Sequence, residues 1–259
     1  MSVRPPLDSY PADGVRASSL GDDSRESAPL VAMTAERLLV GIVSGTYQPG
    51  ARLPPERDLA PALGASRATL REAFRQLEGM HLIAARRGSG VTVRPLRDWN
   101  LEVLPIYLAA GAPYSKGGVP ELTRELLVLR REIVLLMLRM AAPRLSPGSL
   151  ASARATAAHA WEHREQVASF AEREMAALQE VGAAAQVHPT QWLFNTLTGV
   201  YVKCARINPA FATIPQDFLE VFYRVADALE QRQVEPACAL LNAYFERNEA
   251  VILKRFAGG

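Results

Sequence analysis

Apolar positions fall into helical periods over most of this chain, with one short interruption. Leu59, Leu63, Leu70, Phe74 and Leu77 recur at spacings of three, four or seven, the stripe of helices sharing one small core. Between the two helices lies Gly64-Ala65-Ser66. Gly64 can take the left-handed conformation that ends a helix, and Ser66 can cap the next one. Leu82–Ala85 and Val91–Val93 read as two short β runs. Arg86-Arg87-Gly88-Ser89-Gly90 joins them as a hairpin loop whose glycines supply positive φ. Ahead of this segment, residues 31–47 form an amphipathic pattern, expected to be a helix capped by Thr34 and ended near Gly45.

From Val119 onward no stretch alternates with period two. Helical patterns run over 120–144, 149–163, 166–187, 190–207, 214–232 and 234–255. Breaks are expected at Pro147-Gly148, His188-Pro189, Asn208-Pro209 and Arg232-Gln233. The chain is therefore expected to be mainly α. A winged helix-turn-helix with a two-stranded β wing occupies 31–95, and an all-α bundle large enough to enclose a cavity occupies 119–256. Residues 96–118 read as a linker whose connecting helix, 98–110, is interrupted at Pro105. Residues 1–30, polar and rich in proline and serine, read as a disordered tail.

Charge sharpens this division. The whole chain carries a net charge of only +2. Residues 31–95 hold nine arginines against five acids, whereas 96–259 are balanced. A positive field confined to one small module suits phosphate neutralisation. Arg67 and Arg71, four residues apart at the start of the second helix, project from one face. A helix N-terminus offers free N–H groups and a positive dipole end to phosphate, and arginine can clamp guanine O6 and N7 with two hydrogen bonds. Two arginines on the wing tip suit a minor groove or a phosphate ridge. Double-stranded DNA is the expected partner, provided that Arg67 and Arg71 are exposed and not engaged by the protein's own acids.

Cys204 and Cys238 make no disulfide framework. Leu126–Ala142, the most apolar stretch, contains Arg130, Arg131, Glu132 and Arg139, which excludes a transmembrane span. No signal core precedes it, so the chain reads as a soluble cytoplasmic protein. His159-Ala160-Trp161-Glu162-His163 fits the H-x-x-E-H pattern of some zinc hydrolases, in which two histidines hold the metal and the glutamate is the general base. The competing reading is a charged helix end, and no third ligand stands out. Of Arg130 and Arg131, one is expected to face inward, to hold an effector's carboxylate or phosphate or to form a structural ion pair, and the other to face solvent. His188, beside Pro189, reads as a turn residue.

The string PGARLPPERDLAPALGASRATLREAFRQLEGMHLIAARRGSGVTV resembles the winged helix-turn-helix of the GntR family of bacterial transcriptional regulators. The resemblance implies operator contacts at Arg57, Ser66, Arg67, Thr69, Arg71, Arg87 and Gly88. Two positions depart from the family pattern. Pro61 stands where a polar helix former is usual and should kink the first helix, and Ala68 stands where a hydroxyl residue is common. The later runs RREI (130–133), LFNTLTGVYVKCAR (193–206) and FYRVADALEQRQVEPACALLNAYFER (222–247) resemble the C-terminal domain of the FadR-like subfamily.

Many relatives there bind a metal through one Asp and three His. The matching slots here are Glu174, Gln179, Phe222 and the 243–246 region, so the resemblance implies no metal and no other cofactor. Asn195, Gly199, Tyr201, Arg206 and the pair Phe222-Tyr223 match acyl-CoA-responsive members, whereas Phe245 replaces a glycine and Ile252 a tryptophan. Arg130, Asn195, Tyr201, Phe222 and Phe245 are the implied effector residues, for an acyl-CoA or an organic acid. The expected protein is a homodimeric repressor or activator, not an enzyme, that reads a palindromic operator under control of a small metabolite. The alternatives are an architectural DNA-binding protein without effector and, more remotely, a zinc hydrolase using His159 and His163.

Overall fold

The computed structural model describes residues 23–86 and 90–256. They divide into two compact units at Tyr114–Ser115. In the first unit, helices α1 (Asp23–Val43), α2 (Glu56–Ala62) and α3 (Arg67–Gly79) precede strands β1 (Ile83–Arg86) and β2 (Gly90–Val93) and a short helix α4 (Leu104–Ala109). Leu38 and Ile42 of α1 meet Leu70, Phe74 and Leu77 of α3 in a core closed by Leu59, Leu63, Leu82 and Ile83, all buried. Every apolar position of the expected stripe is therefore inside.

β1 and β2 pair antiparallel, with Ile83 opposite Val93 and Arg86 opposite Gly90. A third segment, absent from the sequence pattern, joins them: Leu53 N–H donates to Val91 O and Val93 N–H to Ala51 O, both at 2.8 Å. Glu78 pins the base of the wing to α3 by accepting a 2.8 Å bond from the Ala85 N–H.

Three expectations for this unit change. α1 begins at Asp23, so the helix reaches back into the stretch read as a tail; no apolar periodicity precedes Leu30 to signal it. Thr34 is buried inside α1 and donates to Leu30 O at 2.7 Å instead of capping. The expected linker is largely folded. Two 3-10 turns, Leu96–Asp98 and Leu101–Val103, lead into α4, and Pro105 stands in its first turn, where a missing N–H costs nothing. Trp99 packs edge-on to Tyr107 and Tyr114 at 5.6 and 6.3 Å, and Tyr114 OH donates to Ile42 O of α1 at 3.4 Å. Aromatic stacking and these polar handles hold residues 96–114 in the first unit.

The second unit is an all-α bundle. Its helices are α5 (Gly118–Ala141), α6 (Ala151–Glu162), α7 (Val167–Ala185), α8 (His188–Ile207), α9 (Phe218–Glu230) and α10 (Val234–Phe256). Six helices were expected, with bounds within a few residues of these. α10 packs on α5 and α9, and α7 packs on α6 and α8. His188 and Pro189 open α8 and do not break the chain; the reversal is made just before them by Gln186 in a left-handed conformation, φ 53°. Among the described residues no helix is long and apolar enough to cross a membrane.

Candidate nucleic-acid interface

The turn between α2 and α3 is set by two residues. Gly64 takes φ +65° and lets Ala65 N–H reach back to Ala60 O at 2.9 Å, closing the end of α2. Arg37 of α1 covers another carbonyl there, donating to Leu63 O at 3.1 Å. Pro61 lies exposed in the last turn of the seven-residue α2, too near its end to bend a helix interior. Ser66 then caps α3: its Oγ accepts from Thr69 N–H at 3.0 Å and lies 2.8 Å from the Thr69 hydroxyl.

α3 turns Leu70, Ala73, Phe74 and Leu77 inward and leaves Arg67, Ala68, Arg71 and Arg75 exposed. No acid stands in its first turn. The free N–H groups, the positive dipole end and the Arg67 and Arg71 guanidiniums therefore face the same solvent region. The expected freedom from acids holds only in part. Arg71 Nε pairs with Glu56 Oε2 of α2 at 2.9 Å, although the Arg71 side chain stays 65% exposed. Arg57, also exposed, pairs with its neighbour Asp58 at 3.3 Å, and Arg75 pairs with Glu72. Exposed pairs of this kind contribute about 0–1 kcal/mol, so a phosphate or base edge can replace them. Arg87 and Gly88 lie outside the described residues.

In the helical unit, Arg130 of α5 is wholly buried, with its guanidinium 4.3 Å from the Tyr201 ring centroid and 4.7 Å from that of Phe245. Its Nε has no hydrogen-bond partner among the described residues. Burial works against its charge, but Tyr201, Glu174, Glu249 and Tyr244 more than offset this, leaving its pKa above the ordinary arginine value. Glu174 is buried beside it and accepts a 2.7 Å bond from Tyr244 OH. Burial raises the pKa of Glu174 and of Glu249, pushes the Tyr201 phenol up to about 12, and makes Cys204 a poor nucleophile by the same route.

Arg131 does not face solvent as expected. It bridges Glu249 at 3.1 Å and Glu246 at 3.3 Å of α10, and is only 14% exposed. Tyr201, Phe222, Phe245 and Arg130 are thus gathered in the interior, whereas Asn195 is exposed and accepts from Gln179 at 2.9 Å. The interior is closed: the cavity lined by Glu174, Phe218, Phe222, Tyr244 and Phe245 measures only about 10 Å³. The larger cleft, about 440 Å³, lies between α9 and α10 and is lined by Asp217, Glu220, Arg224 and Arg247 among others.

Residues 30–93 match the family model of the bacterial regulatory proteins of the gntR family. This segment is a GntR-type winged helix-turn-helix domain. An uncharacterised HTH-type transcriptional regulator of Mycobacterium tuberculosis is 41% identical over 106 residues, 41% of this chain and 41% of the relative. The match thus spans about two fifths of that relative's length. A fatty acid metabolism regulator protein of Edwardsiella ictaluri is 24% identical over 216 residues, 83% of this chain and 87% of the relative. A solved structure of Lar, which controls expression of the Listeria monocytogenes agr system, shares the fold with a TM-score of 0.59 at 14% identity, covering 87% of this chain and 97% of that one.

Ser66, Arg67, Thr69 and Arg71 lie in the cap and opening turns of α3, and Arg57 stands in the first turn of α2. Glu56, which orients Arg71, was missed, because no helical spacing links residues on different helices. The four metal slots of the helical unit do not fit a divalent ion. Glu174 is engaged by Tyr244 and faces the Arg130 charge, Gln179 is bound to Asn195, Phe222 has no donor, and Glu246 pairs with Arg131.

Proposed function

We propose that this chain is a DNA-binding transcriptional regulator in which α3 lies in the major groove. The single observation that carries this reading is the start of α3: capped by Ser66, without an acid in its own first turn, and presenting Arg67 and the Glu56-paired Arg71 to solvent on a GntR-type domain. Arg67 and Arg71 read base edges, Ser66, Thr69 and Arg57 hold phosphates, and Arg87 with Gly88 follows the adjacent backbone. Two copies paired through the helical units recognise a palindromic operator, since a two-fold protein mirrors a two-fold site. The test is selection of a binding sequence from random duplexes, followed by titration of Arg67→Ala and Arg71→Ala. Undiminished sequence-specific affinity in both variants defeats the proposal.

In this reading the helical unit couples a small metabolite to operator affinity. The effector residues Arg130, Tyr201, Phe222 and Phe245 stand together, and the ligand selects a state in which Phe245 and Tyr244 have moved apart, because the closed state has room for about one water. A long acyl thioester is disfavoured by the Phe245 ring, and an anion must compete with Glu174 and Glu249 for Arg130.

The closed interior also favours a second reading, an architectural DNA-binding protein whose helical half only dimerises. Native mass spectrometry of freshly purified protein separates the two. A small-molecule adduct on the helical unit supports the effector, and adduct-free dimer with unchanged DNA binding across metabolite pools supports the second.

A further inference from the structure

We infer that His159, Glu162 and His163 form a surface site for one divalent transition-metal ion at the C-terminal end of α6, independent of the DNA-binding reading. The three residues are exposed, and one ligand atom from each lies within 4.8 Å of the others. The imidazole rings of His159 and His163, one helical turn apart, have centroids 4.2 Å apart. His163 Nδ1 lies 3.0 Å from His159 O. A carbonyl oxygen only accepts, so this contact as a hydrogen bond places a proton on Nδ1 and leaves Nε2 as the nitrogen that can ligate a metal. A backbone carbonyl that fixes the tautomer of an imidazole is the usual support behind a metal-binding histidine.

The helix end beneath the trio is held in place. Arg173 donates to His163 O at 2.6 Å, Arg164 donates to Trp161 O at 2.5 Å, and the Arg164 guanidinium stacks 4.0 Å above the Trp161 ring. Both arginines spend their charge on terminal carbonyls. Two imidazoles and a carboxylate make a borderline-soft donor set that selects Zn²⁺, Ni²⁺ or Cu²⁺ over Mg²⁺ and Ca²⁺. Metal–ligand bonds of about 2.0–2.2 Å draw the three atoms closer than they stand here, a movement open to exposed side chains. One coordination position stays open for water. The trio lies apart from both the α9–α10 cleft and the small interior cavity, and the inference concerns binding of the ion alone.

The test is calorimetric titration of the tag-free full chain with Zn²⁺, repeated with Ni²⁺ and with Mg²⁺ in excess. The expected result is one equivalent of Zn²⁺ bound, weakened more than about tenfold in His159→Ala and in His163→Ala, and unchanged in His188→Ala and His81→Ala. Glu162→Gln weakens binding without abolishing it. Substitutions at exposed positions leave the fold intact, which the circular dichroism of each variant verifies. Absence of Zn²⁺ binding overturns the inference. So does binding that persists undiminished in the His159→Ala/His163→Ala double variant, which would place the ion elsewhere, on Cys204 or Cys238.

Discussion

Arg71 on α3 and Glu56 on α2 are joined by a 2.9 Å ion pair across the helix-turn-helix. The carboxylate holds the guanidinium at the face where DNA is proposed to lie, and it also sets a negative charge beside the phosphate backbone. In Glu56→Gln that repulsion disappears and Arg71 is released. Operator affinity should rise several-fold and stability should change by less than about 1 kcal/mol, because the pair is largely exposed. Fluorescence anisotropy with a selected duplex reads the first effect and thermal melting the second. A weaker operator complex would mean that Glu56 positions Arg71 more than it opposes DNA.

Ser66 is the sole side-chain cap on α3. Ser66→Ala should cost about 1 kcal/mol, the usual worth of an N-cap, and lower DNA affinity because the same oxygen orders the N-terminal turn. Ser66→Asp keeps the cap but adds a charge against phosphate. It should restore the melting temperature without restoring DNA binding, and recovery of both would refute the phosphate-facing placement of the turn.

Gly64 takes φ +65° with open space where a Cβ would stand. Gly64→Ala should therefore lose only the backbone term, about 1–2 kcal/mol, with no steric addition. Denaturant melts of the two proteins measure the difference, and a cost near zero would show that the turn relaxes to another conformation.

Arg130 and Glu174 are buried together, and removing one leaves the other charge uncompensated. Arg130→Met should destabilise the helical unit by about 3–5 kcal/mol, with part of the loss recovered by adding Glu174→Gln. The pH dependence has a defined sign. Burial raises the folded pKa of Glu174 and Glu249 above the ordinary glutamate value of 4.5. The folded state then holds more protons than the unfolded one above that value. These two groups contribute stability that is full below pH 4.5 and is lost as pH climbs through their raised values. Melting temperature followed across this range should fall less steeply with rising pH in Glu174→Gln than in the parent. An equal slope in both would place the titration elsewhere.

Local chemistry made the helix-turn-helix legible. Gly64, Ser66 and the spacing from Leu59 to Leu77 each specify their own geometry within a few residues, and the six helices of the second unit follow from period and breaks, except that the reversal before α8 falls at Gln186 and not at His188-Pro189. What escaped depends on contacts between distant segments. Glu56 meets Arg71 from another helix, Trp99 and Tyr114 turn an expected linker into part of the first unit, and Ala51–Leu53 joins the wing through backbone bonds that carry no side-chain signature. Arg130 was recognisable as an inward candidate, but its contacts with the Tyr201 and Phe245 rings join residues from three helices and carry no spacing signal.

The central claim is that the first turn of α3 recognises DNA. Its most direct test is the affinity of the full chain for a selected duplex, measured against salt, for the parent and the Arg67→Ala/Arg71→Ala double variant. Loss of bidentate base contacts worth about 1–3 kcal/mol each predicts a specific affinity reduced by at least about tenfold, with the preference over random sequence relaxed and the salt dependence of the remaining phosphate contacts retained. Unchanged affinity for that duplex, with an unchanged preference over random sequence, would contradict it.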